Sequence, residues 1–378
     1  MYPIDANPYQ HLLYAAVARV APTLHIFTAA FPYRGRLRHL RALPFIPMAC
    51  YLRLRGARIL HLHWPDFGVP AWIPCASTLS SAHLRLSLRV ARLCGYKLVW
   101  TVHNILPHSQ QTADDLRNMR FLAESAHVKI LHSLHTRDQM LALGMNVAST
   151  VVIPHGSYID AYPPLPSVRE ARRALGLDTE SFVFLCLGNL RAYKGVSALL
   201  AAFAHISDEG AVLLIAGQTQ DDATRDALRR VSDPRVVVHD GFVPAARVPL
   251  YYGASDIVCA PFTTVTTSGS VLLALGYGRA VITVRQGALR DLPDDAALFC
   301  DGDTESLGSA MRHALSDRTA VRVAGQAASA YAASLPSWSA IAEQTRDAYE
   351  LSMRWRAPDV PAPPTSAADS HSWTRTPH

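Results

Sequence analysis

The chain has 378 residues, of which 49% are hydrophobic and 17% charged, and its formal net charge is +6. This length allows two domains with separate cores, and this composition indicates a folded protein. There is no window of about 18 apolar residues and no basic, apolar leader, so we expect neither a membrane span nor a signal peptide. Six scattered cysteines without a Cys-x-x-Cys pair indicate reduced thiols and a cytoplasmic location.

The charge is unevenly distributed along the chain. Between Ala6 and Ala113 the single acidic residue is Asp66, whereas the same stretch carries twelve arginine and lysine side chains. A basic half with interleaved leucine, phenylalanine and tyrosine indicates an anionic partner, such as phospholipid, polyprenyl diphosphate or nucleic acid. A solvated basic face without a partner is the alternative.

Helix and strand patterns alternate in the first half. The turn Asn7-Pro8-Tyr9-Gln10 precedes a helix pattern, because proline keeps the residue before it out of the helical region. Four apolar segments then read as strands, and polar residues follow each of them, where open α/β sheets bind ligands. We place these strands at 58–64, 97–102, 128–131 and 151–153, with a helix around Leu84, Leu88 and Ala91.

The proline-rich segment 162–167 reads as a domain linker, and a regular β/α alternation follows it. Such alternation predicts a mostly parallel sheet with right-handed crossovers. A last amphipathic helix runs from Trp338 to Trp355, and the tail 357–378 has the composition of a disordered segment. The strands are predicted at 182–187, 211–216, 236–239, 256–260, 280–284 and 297–300, and helices near 196–206, 221–230, 246–253, 270–277, 304–315 and 318–333.

Two segments of the second half are candidate anion sites. After the apolar run 182–187, a glycine turn is followed by Arg191 and Lys194 just before a predicted helix, which together favour a phosphate or diphosphate. The segment is neither a Walker loop nor a Gly-x-Gly-x-x-Gly fingerprint, and an ordinary βα turn is the alternative. Five small residues, including Ser268, Gly269 and Ser270, precede another helix and would expose free N–H groups.

Gly241 and Phe242 follow the strand predicted at 236–239 and could offer backbone groups to a nucleobase, although a plain glycine turn explains them equally well. Asp301-Gly302-Asp303 formally matches a metal motif. Its position before a helix favours a loop and a helix cap. We expect no metal there.

The first half supplies candidate catalytic groups. Asp66 would stay ionised in its basic surroundings and could take a proton from a hydroxyl nucleophile, with a turn or cap aspartate as the alternative. His103-Asn104 could orient a sugar or share that proton, with a histidine hydrogen-bonded within its loop as the alternative. His61 and His63 point to one face of their strand, but without a third ligand they do not indicate zinc.

Together these segments resemble the two-domain GT-B glycosyltransferases, and more specifically family GT94, the β-mannosyltransferases of bacterial exopolysaccharide (xanthan) assembly. The resemblance implies an α/β fold with two Rossmann-like domains whose parallel sheets face a central cleft. Residues 1–160 would bind the acceptor, residues 168–335 the nucleotide sugar, and the helix 336–356 would return to the first domain. The matching segments are Asn7-Pro8-Tyr9, Leu60 to Asp66, His103-Asn104 with Pro107-His108, Arg191 to Val196, and Ser268 to Leu275.

One departure from the wider GT-B pattern is informative. Retaining members that resemble family GT4 carry two glutamates separated by seven residues, and here Val265 and Leu273 stand in their places. The departure argues against that retaining family and fits an inverting enzyme that forms a β linkage. It also leaves the ribose contact unassigned.

The resemblance implies an inverting hexosyltransferase that needs no cofactor. It would move mannose from GDP-mannose to a polyprenyl-diphosphate-linked oligosaccharide, as a peripheral protein on the inner face of the plasma membrane. The alternatives are a UDP-glucose or UDP-glucuronate transferase and a non-catalytic subunit that binds a sugar nucleotide or glycan. A nucleic-acid binder would leave the serine-rich helix start and Asp66 without a role. The implied roles are general base for Asp66, shared proton traffic for His103, acceptor positioning for His63 and Asn104, diphosphate binding for Arg191, Lys194, Ser268, Gly269 and Ser270, and base binding for Gly241 and Phe242.

Overall fold

The computed structural model describes residues 7–26, 45–64, 76–107 and 113–355. The predicted base Asp66 and the tail 357–378 lie outside these residues. Within them, helices and strands alternate and form two parallel sheets, one in each half of the chain. This arrangement confirms the α/β fold class.

The first sheet has the strand order β1-β2-β3-β4, and all of its pairs are parallel. Ile59 pairs with Lys97 and Val99 with Val128, so the strands end near one edge of the sheet. The elements of this half are α1 (Tyr9–Val20), α2 (Phe45–Leu54), β1 (Ile59–Leu62), α3 (Ala76–Leu93), β2 (Lys97–Thr101), α4 (Ala113–Ser125), β3 (Val128–Leu131), α5 (Leu134–Ala142) and β4 (Thr150–Val152).

The second sheet has the order β10-β9-β8-β5-β6-β7, again with parallel pairs throughout. Its central strand β5 is Phe-Val-Phe-Leu-Cys-Leu, and all six side chains are buried, as expected for a strand covered on both faces. The elements are α6 (Val168–Ala174), β5 (Phe182–Leu187), α7 (Val196–Phe203), β6 (Ala211–Gly217), α8 (Asp222–Arg229), β7 (Val236–Asp240), α9 (Val248–Ala254), β8 (Ile257–Ala260), α10 (Gly269–Gly276), β9 (Ala280–Val284), β10 (Ala297–Cys300), α11 (Thr304–Ser316), α12 (Arg318–Ser334) and α13 (Trp338–Arg354).

Local caps explain where several helices begin. Ser167 and Glu170 form a reciprocal capping box at α6. Asp303 accepts hydrogen bonds from the backbone of Glu305 and Ser306, both at 2.8 Å, and so caps α11. The expectation that Asp301-Gly302-Asp303 is a loop and cap is therefore confirmed.

Helix α13 packs against the first half of the chain. The Trp338 ring lies 5.3 Å from that of Tyr9, and its Nε1 donates to the Ser157 carbonyl at 2.8 Å. At the other end of the helix, Lys97 Nζ donates to the Trp355 carbonyl at 3.1 Å. The C-terminal helix therefore connects the two halves.

The loops that follow the two sheets also meet directly. The backbone N–H of Ile105 donates to Thr266 Oγ1 at 3.3 Å, and this contact is buried. His135 Nε2 lies 3.4 Å from Asp291 Oδ1. These contacts bring the polar C-terminal edges of both sheets to one cleft.

Candidate functional site

A cavity of about 290 Å³ opens at the C-terminal edge of the second sheet, and we call it the cleft cavity. Most of its wall comes from the turns after β5 and β6 and from the start of α10. Asn7, Pro8 and Tyr158 complete the wall from the other side of the cleft. The remaining lining residues are Tyr162, Leu187, Gly188, Asn189, Tyr193, Lys194, Gly217, Gln218, Phe242, Val243, Val248, Tyr252, Phe262, Val265, Thr267, Ser268, Gly269, Ser270 and Leu273.

Lys194 is the one cation in the described wall of this cavity and is only 8% exposed. Its Nζ donates to Ser270 Oγ at 3.3 Å and lies 5.3 Å from the centre of the Phe262 ring. A Cβ at Gly188 would stand 3.1 Å from Nζ, so the ammonium occupies space that a side chain at position 188 would fill. Burial lowers the pKa of Lys194. A desolvated cation of this kind gains strongly from an anionic ligand.

The turn that carries Lys194 is held from both sides. Gly195 adopts a φ of +72°, and a Cβ there would approach the Pro261 carbonyl oxygen to 2.0 Å, so only glycine fits. Asp221 caps α8 through Thr224 and also accepts the Ala192 N–H at 2.8 Å. The loop is therefore fixed before any ligand arrives.

The start of α10 faces Lys194. Ser268 Oγ accepts the N–H of Val271 at 3.3 Å and lies 3.1 Å from Ser270 Oγ, while the Tyr252 hydroxyl donates to the Ser270 carbonyl. The first N–H groups of a helix have no partner within it and carry a partial positive charge. Lys194, Ser268, Gly269 and Ser270 are thus brought together, as the diphosphate prediction requires.

Two other predicted residues are placed differently from Lys194. Arg191 is half-buried beside Asp221 and Tyr193 and does not line the cleft cavity. Gly241 has a φ of +149° at the turn after β7, also outside the wall. Phe242 is 53% exposed and lines the cavity. It stands there with Val243 and Val248.

The first sheet brings five histidines to its side of the cleft, in or just beyond its strands; four are buried and His61 is half-buried. The Tyr9 ring packs edge-on against four of them, at centroid distances between 4.5 and 5.6 Å. Burial lowers the pKa of every member, to about 3 for His61, about 4 for His132 and about 3 for His155. The cluster consists of His61, His63, His103, His132 and His155, and all five are neutral at pH 7.

Because these imidazoles are neutral, each carries one ring proton, and a backbone carbonyl fixes where it lies. Ile153 O can only accept, so His132 Nδ1, at 2.9 Å, is the donor and its Nε2 is the acceptor. His103 Nδ1 must then donate to His132 Nε2 at 3.4 Å. In the same way, His63 Nδ1 donates to His103 Nε2 at 3.0 Å.

The same logic continues into the helices. Tyr14 donates its hydroxyl proton to His63 Nε2 at 2.7 Å. Four donors thus point in one direction toward the Ile153 carbonyl, namely Tyr14, His63, His103 and His132, and we call this series the histidine chain. His61 extends the cluster beyond Tyr14: its Nδ1 lies 2.8 Å from the Tyr349 hydroxyl and 3.3 Å from the Tyr14 hydroxyl, and its Nε2 lies 2.7 Å from Thr101 Oγ1.

The histidine chain occupies both ring nitrogens of His103 and of His63, so neither has a nitrogen left for a substrate. The indole of Trp64 stacks on the His103 ring at 4.1 Å. Asn104 is half-buried and lies between His103 and Ile105, at the contact with Thr266. In this geometry the histidines hold the loop that carries Asn104. Their catalytic roles stay predictions.

No group of three or more His, Cys, Asp or Glu side chains in the described ranges has a geometry suited to a metal ion. Val265 and Leu273, which replace the glutamates of the retaining pattern, are both buried and line the cleft cavity. No aspartate or glutamate belongs to the described wall of this cavity. The described wall therefore offers a ligand hydrogen-bond donors and one cation, and no carboxylate.

Sequence reasoning did not assign several residues that the structure places at the site. His132 and His155 were visible as polar residues after strands, without a role. Asn7 and Tyr9 belong to a segment noted as a turn and as part of the family resemblance, without a role. Tyr158, which contacts the Trp338 ring and lines the cavity, gave no signal.

Residues 181–317 match the family described as "Glycosyl transferases group 1". The chain is 24% identical over 228 residues to the GDP-mannose:glycolipid 4-beta-D-mannosyltransferase of Xanthomonas campestris pv. campestris, covering 59% of this chain and 60% of that protein. It is 26% identical over 267 residues to the D-inositol 3-phosphate glycosyltransferase of Kineococcus radiotolerans, covering 64% and 61%. The chain therefore spans about three fifths of the length of these relatives.

The fold is similar to that of sucrose-phosphate synthase from Thermosynechococcus elongatus. The TM-score is 0.71 at 19% sequence identity, and the match covers 91% of this chain and 92% of that one. The two parallel Rossmann-like sheets and this structural similarity identify the GT-B fold, as expected from the sequence.

Proposed function

We propose that this chain is an inverting glycosyltransferase that moves a hexosyl group, with mannose from GDP-mannose as the preferred donor, to a lipid-linked oligosaccharide. The observation that carries the proposal is the pairing of buried Lys194 with the start of α10 in a cavity whose described wall has no acidic residue. Such a wall suits a nucleoside diphosphate leaving group. The mannosyl choice is supported by the similarity to a GDP-mannose-dependent enzyme.

The reaction would break the bond between the anomeric carbon and the diphosphate oxygen and form a bond from that carbon to an acceptor hydroxyl. The hydroxyl proton would pass to Asp66, and the bonding electrons would leave with the diphosphate. Lys194 and the N–H groups around Ser268 to Ser270 would stabilise the negative charge that develops there. The histidine chain would position the loop carrying Asn104 against the acceptor.

A thermal-shift panel of GDP, UDP, ADP and their common sugar conjugates tests the proposal. A ligand at 100 times its dissociation constant adds about 2.7 kcal/mol to the free energy of unfolding, which is readily seen as a higher melting temperature. We expect a response to GDP and GDP-mannose. A response to uridine nucleotides instead would replace the donor, and silence across the panel would contradict the transferase assignment.

Lys194→Met is expected to lower kcat/KM by about 100-fold to 1,000-fold, because one fixed donor to the leaving diphosphate is lost. Steady-state kinetics with the donor identified by the panel would measure this. Arg230→Met, at an exposed cation that ends α8 in the same domain, is the matched control and should change kcat/KM less than tenfold. Equal losses in both variants would contradict the placement of the diphosphate on Lys194.

Helices α2 and α3 support docking on an anionic membrane, which is part of the proposal. Leu54 and Leu93, at the ends of these helices, are 88% and 86% exposed, and Arg53 Nε joins the two ends by donating to the Cys94 carbonyl at 2.7 Å. The segments 45–64 and 76–107 contain seven arginine and lysine residues and no acidic residue. In the described residues, no helix has the length and apolar content needed to cross a bilayer. Exposed leucines among cations suit shallow insertion into an anionic bilayer.

The double variant Leu54→Ser/Leu93→Ser is expected to weaken binding to phosphatidylglycerol vesicles on the order of tenfold, because two apolar insertions are lost. Vesicle flotation measures the bound fraction. The control Leu134→Ser replaces a leucine that is 64% exposed on α5 and should bind normally. Unchanged flotation of the double variant would exclude this surface as the docking site.

A further inference from the structure

Asn7 brings a side-chain amide from the first half of the chain to the wall of the cleft cavity. It stands at the start of Asn7-Pro8-Tyr9, the segment that leads into α1, and lines the cavity together with Pro8. Tyr9 follows immediately, and its ring is held among the histidines and Trp338. The position of Asn7 is therefore fixed by the packing of its neighbour.

Two hydrogen bonds fix the orientation of the Asn7 amide. The backbone N–H of Tyr9 lies 3.0 Å from the side chain of Asn7, and because a peptide N–H can only donate, the atom facing it is Oδ1. The Tyr158 hydroxyl donates to the same oxygen at 3.0 Å. Both hydrogen bonds that Asn7 forms within the described residues are thus accepted by Oδ1, and neither of them uses the two donors of the NH2 group.

The other parts of a nucleotide sugar already have partners in the cavity. Lys194 and the start of α10 suit the diphosphate, and the wall around Phe242 and Gln218 lies after β6 and β7, where the base is expected. The hexosyl group must face the first domain, since its acceptor binds there. Asn7 lies on that side.

We propose that the Asn7 NH2 group donates a hydrogen bond to a hydroxyl oxygen of the donor's hexosyl group and thereby helps to select the sugar. The inference rests on the proposed function. Hydroxyl oxygens accept from an amide, and no described carboxylate lines the cavity to hold the sugar instead. Asn7 would then supply part of the sugar recognition that the glutamates of the retaining pattern would otherwise provide.

Asn7→Asp is the test variant, because it keeps an oxygen for both Tyr9 N–H and the Tyr158 hydroxyl but removes both donors. The readout is the ratio of the dissociation constants for GDP and GDP-mannose, measured by calorimetry, or for the nucleotide pair that the panel identifies. A ratio cancels the repulsion that a new carboxylate exerts on the diphosphate in both ligands. We expect the preference for the sugar nucleotide to fall about tenfold. The control Asn189→Asp places the same charge in the same cavity and should leave the ratio unchanged.

Asn7→Ser, which also keeps an acceptor, repeats the measurement without a charge, and melting temperatures verify that both variants fold. An unchanged ratio in both variants overturns the contact with the sugar. Equal weakening of GDP and GDP-mannose by Asn7→Ser also overturns it, because the amide would then serve the diphosphate. If the wild-type protein binds no nucleoside diphosphate, the proposed function itself fails, and the contact with it. If the wild-type protein binds both GDP and GDP-mannose, an unchanged ratio in the variants counts against the Asn7 contact alone and not against the proposed function.

Discussion

As the pH falls from 6.5 toward 4, the free energy of unfolding is expected to fall by roughly several kcal/mol in total, because three histidines of the cluster stay neutral in the folded chain. His61, His132 and His155 have folded-state pKa values of about 3 to 4, against about 6.5 in the unfolded chain. Below pH 6.5 these histidines bind protons in the unfolded chain but stay unprotonated in the folded cluster. Stability is therefore complete above pH 6.5 and is lost as the pH falls, until the folded pKa values are reached.

Chemical denaturation at a series of pH values, followed by tryptophan fluorescence, would measure this slope. His155→Phe removes one titrating group and should make the slope shallower by on the order of 1 kcal/mol per pH unit. The matched control His205→Gln replaces an exposed histidine of the second domain and should leave the slope unchanged. A wild-type free energy of unfolding that stays flat from pH 7 to 5 would contradict a neutral, buried cluster.

Asp66→Asn is expected to lower kcat by about 100-fold to 10,000-fold, because the acceptor hydroxyl would lose the general base that we propose for it. The variant keeps the size and shape of the side chain, so the dissociation constant of the nucleotide diphosphate should stay within twofold. Single-turnover kinetics with saturating donor would measure the chemical step directly.

Asp138→Asn, on the exposed face of α5, is the control for a change of one charge in the same domain. If Asp66→Asn transfers the sugar at more than a tenth of the wild-type rate, another group is the base. Retained nucleotide binding with no turnover in the wild-type protein would favour the non-catalytic alternative instead.

Much of the fold could be predicted from the sequence because most of its strands are buried on both faces. The runs Phe182–Leu187, Ala280–Val284 and Ala297–Cys300 were predicted with the bounds that the structure shows, since an unbroken apolar segment ends where its polar neighbours begin. The turn that we propose to bind the diphosphate was visible for a similar reason: Lys194 and Ser270 each follow a strand of the same sheet. These two residues come together because parallel strands end at the same edge of the sheet.

The rest of the site could not be predicted, because it depends on contacts between residues far apart in the chain. His61 meets Tyr349 across 288 positions, and Tyr158 meets Asn7 across 151. Tyr349 and Tyr14 occupy helix positions that an amphipathic pattern explains fully as core. No spacing rule indicates that their hydroxyl groups complete a series of imidazoles.

The single direction of the histidine chain limits how this protein can evolve. Every interior position must donate through one atom and accept at another, or use a hydroxyl that does both, so lysine, arginine and ionised aspartate are all excluded. A phenylalanine at His132 would leave the Ile153 carbonyl and His103 Nδ1 facing a ring without polar atoms. Glutamine and asparagine could in principle stand in for a histidine, because their amides also carry a donor and an acceptor on separate atoms. Few residue types should therefore be accepted at the positions of the histidine chain. The ring nitrogen that carries the proton in each histidine is set by the hydrogen bond to the next member.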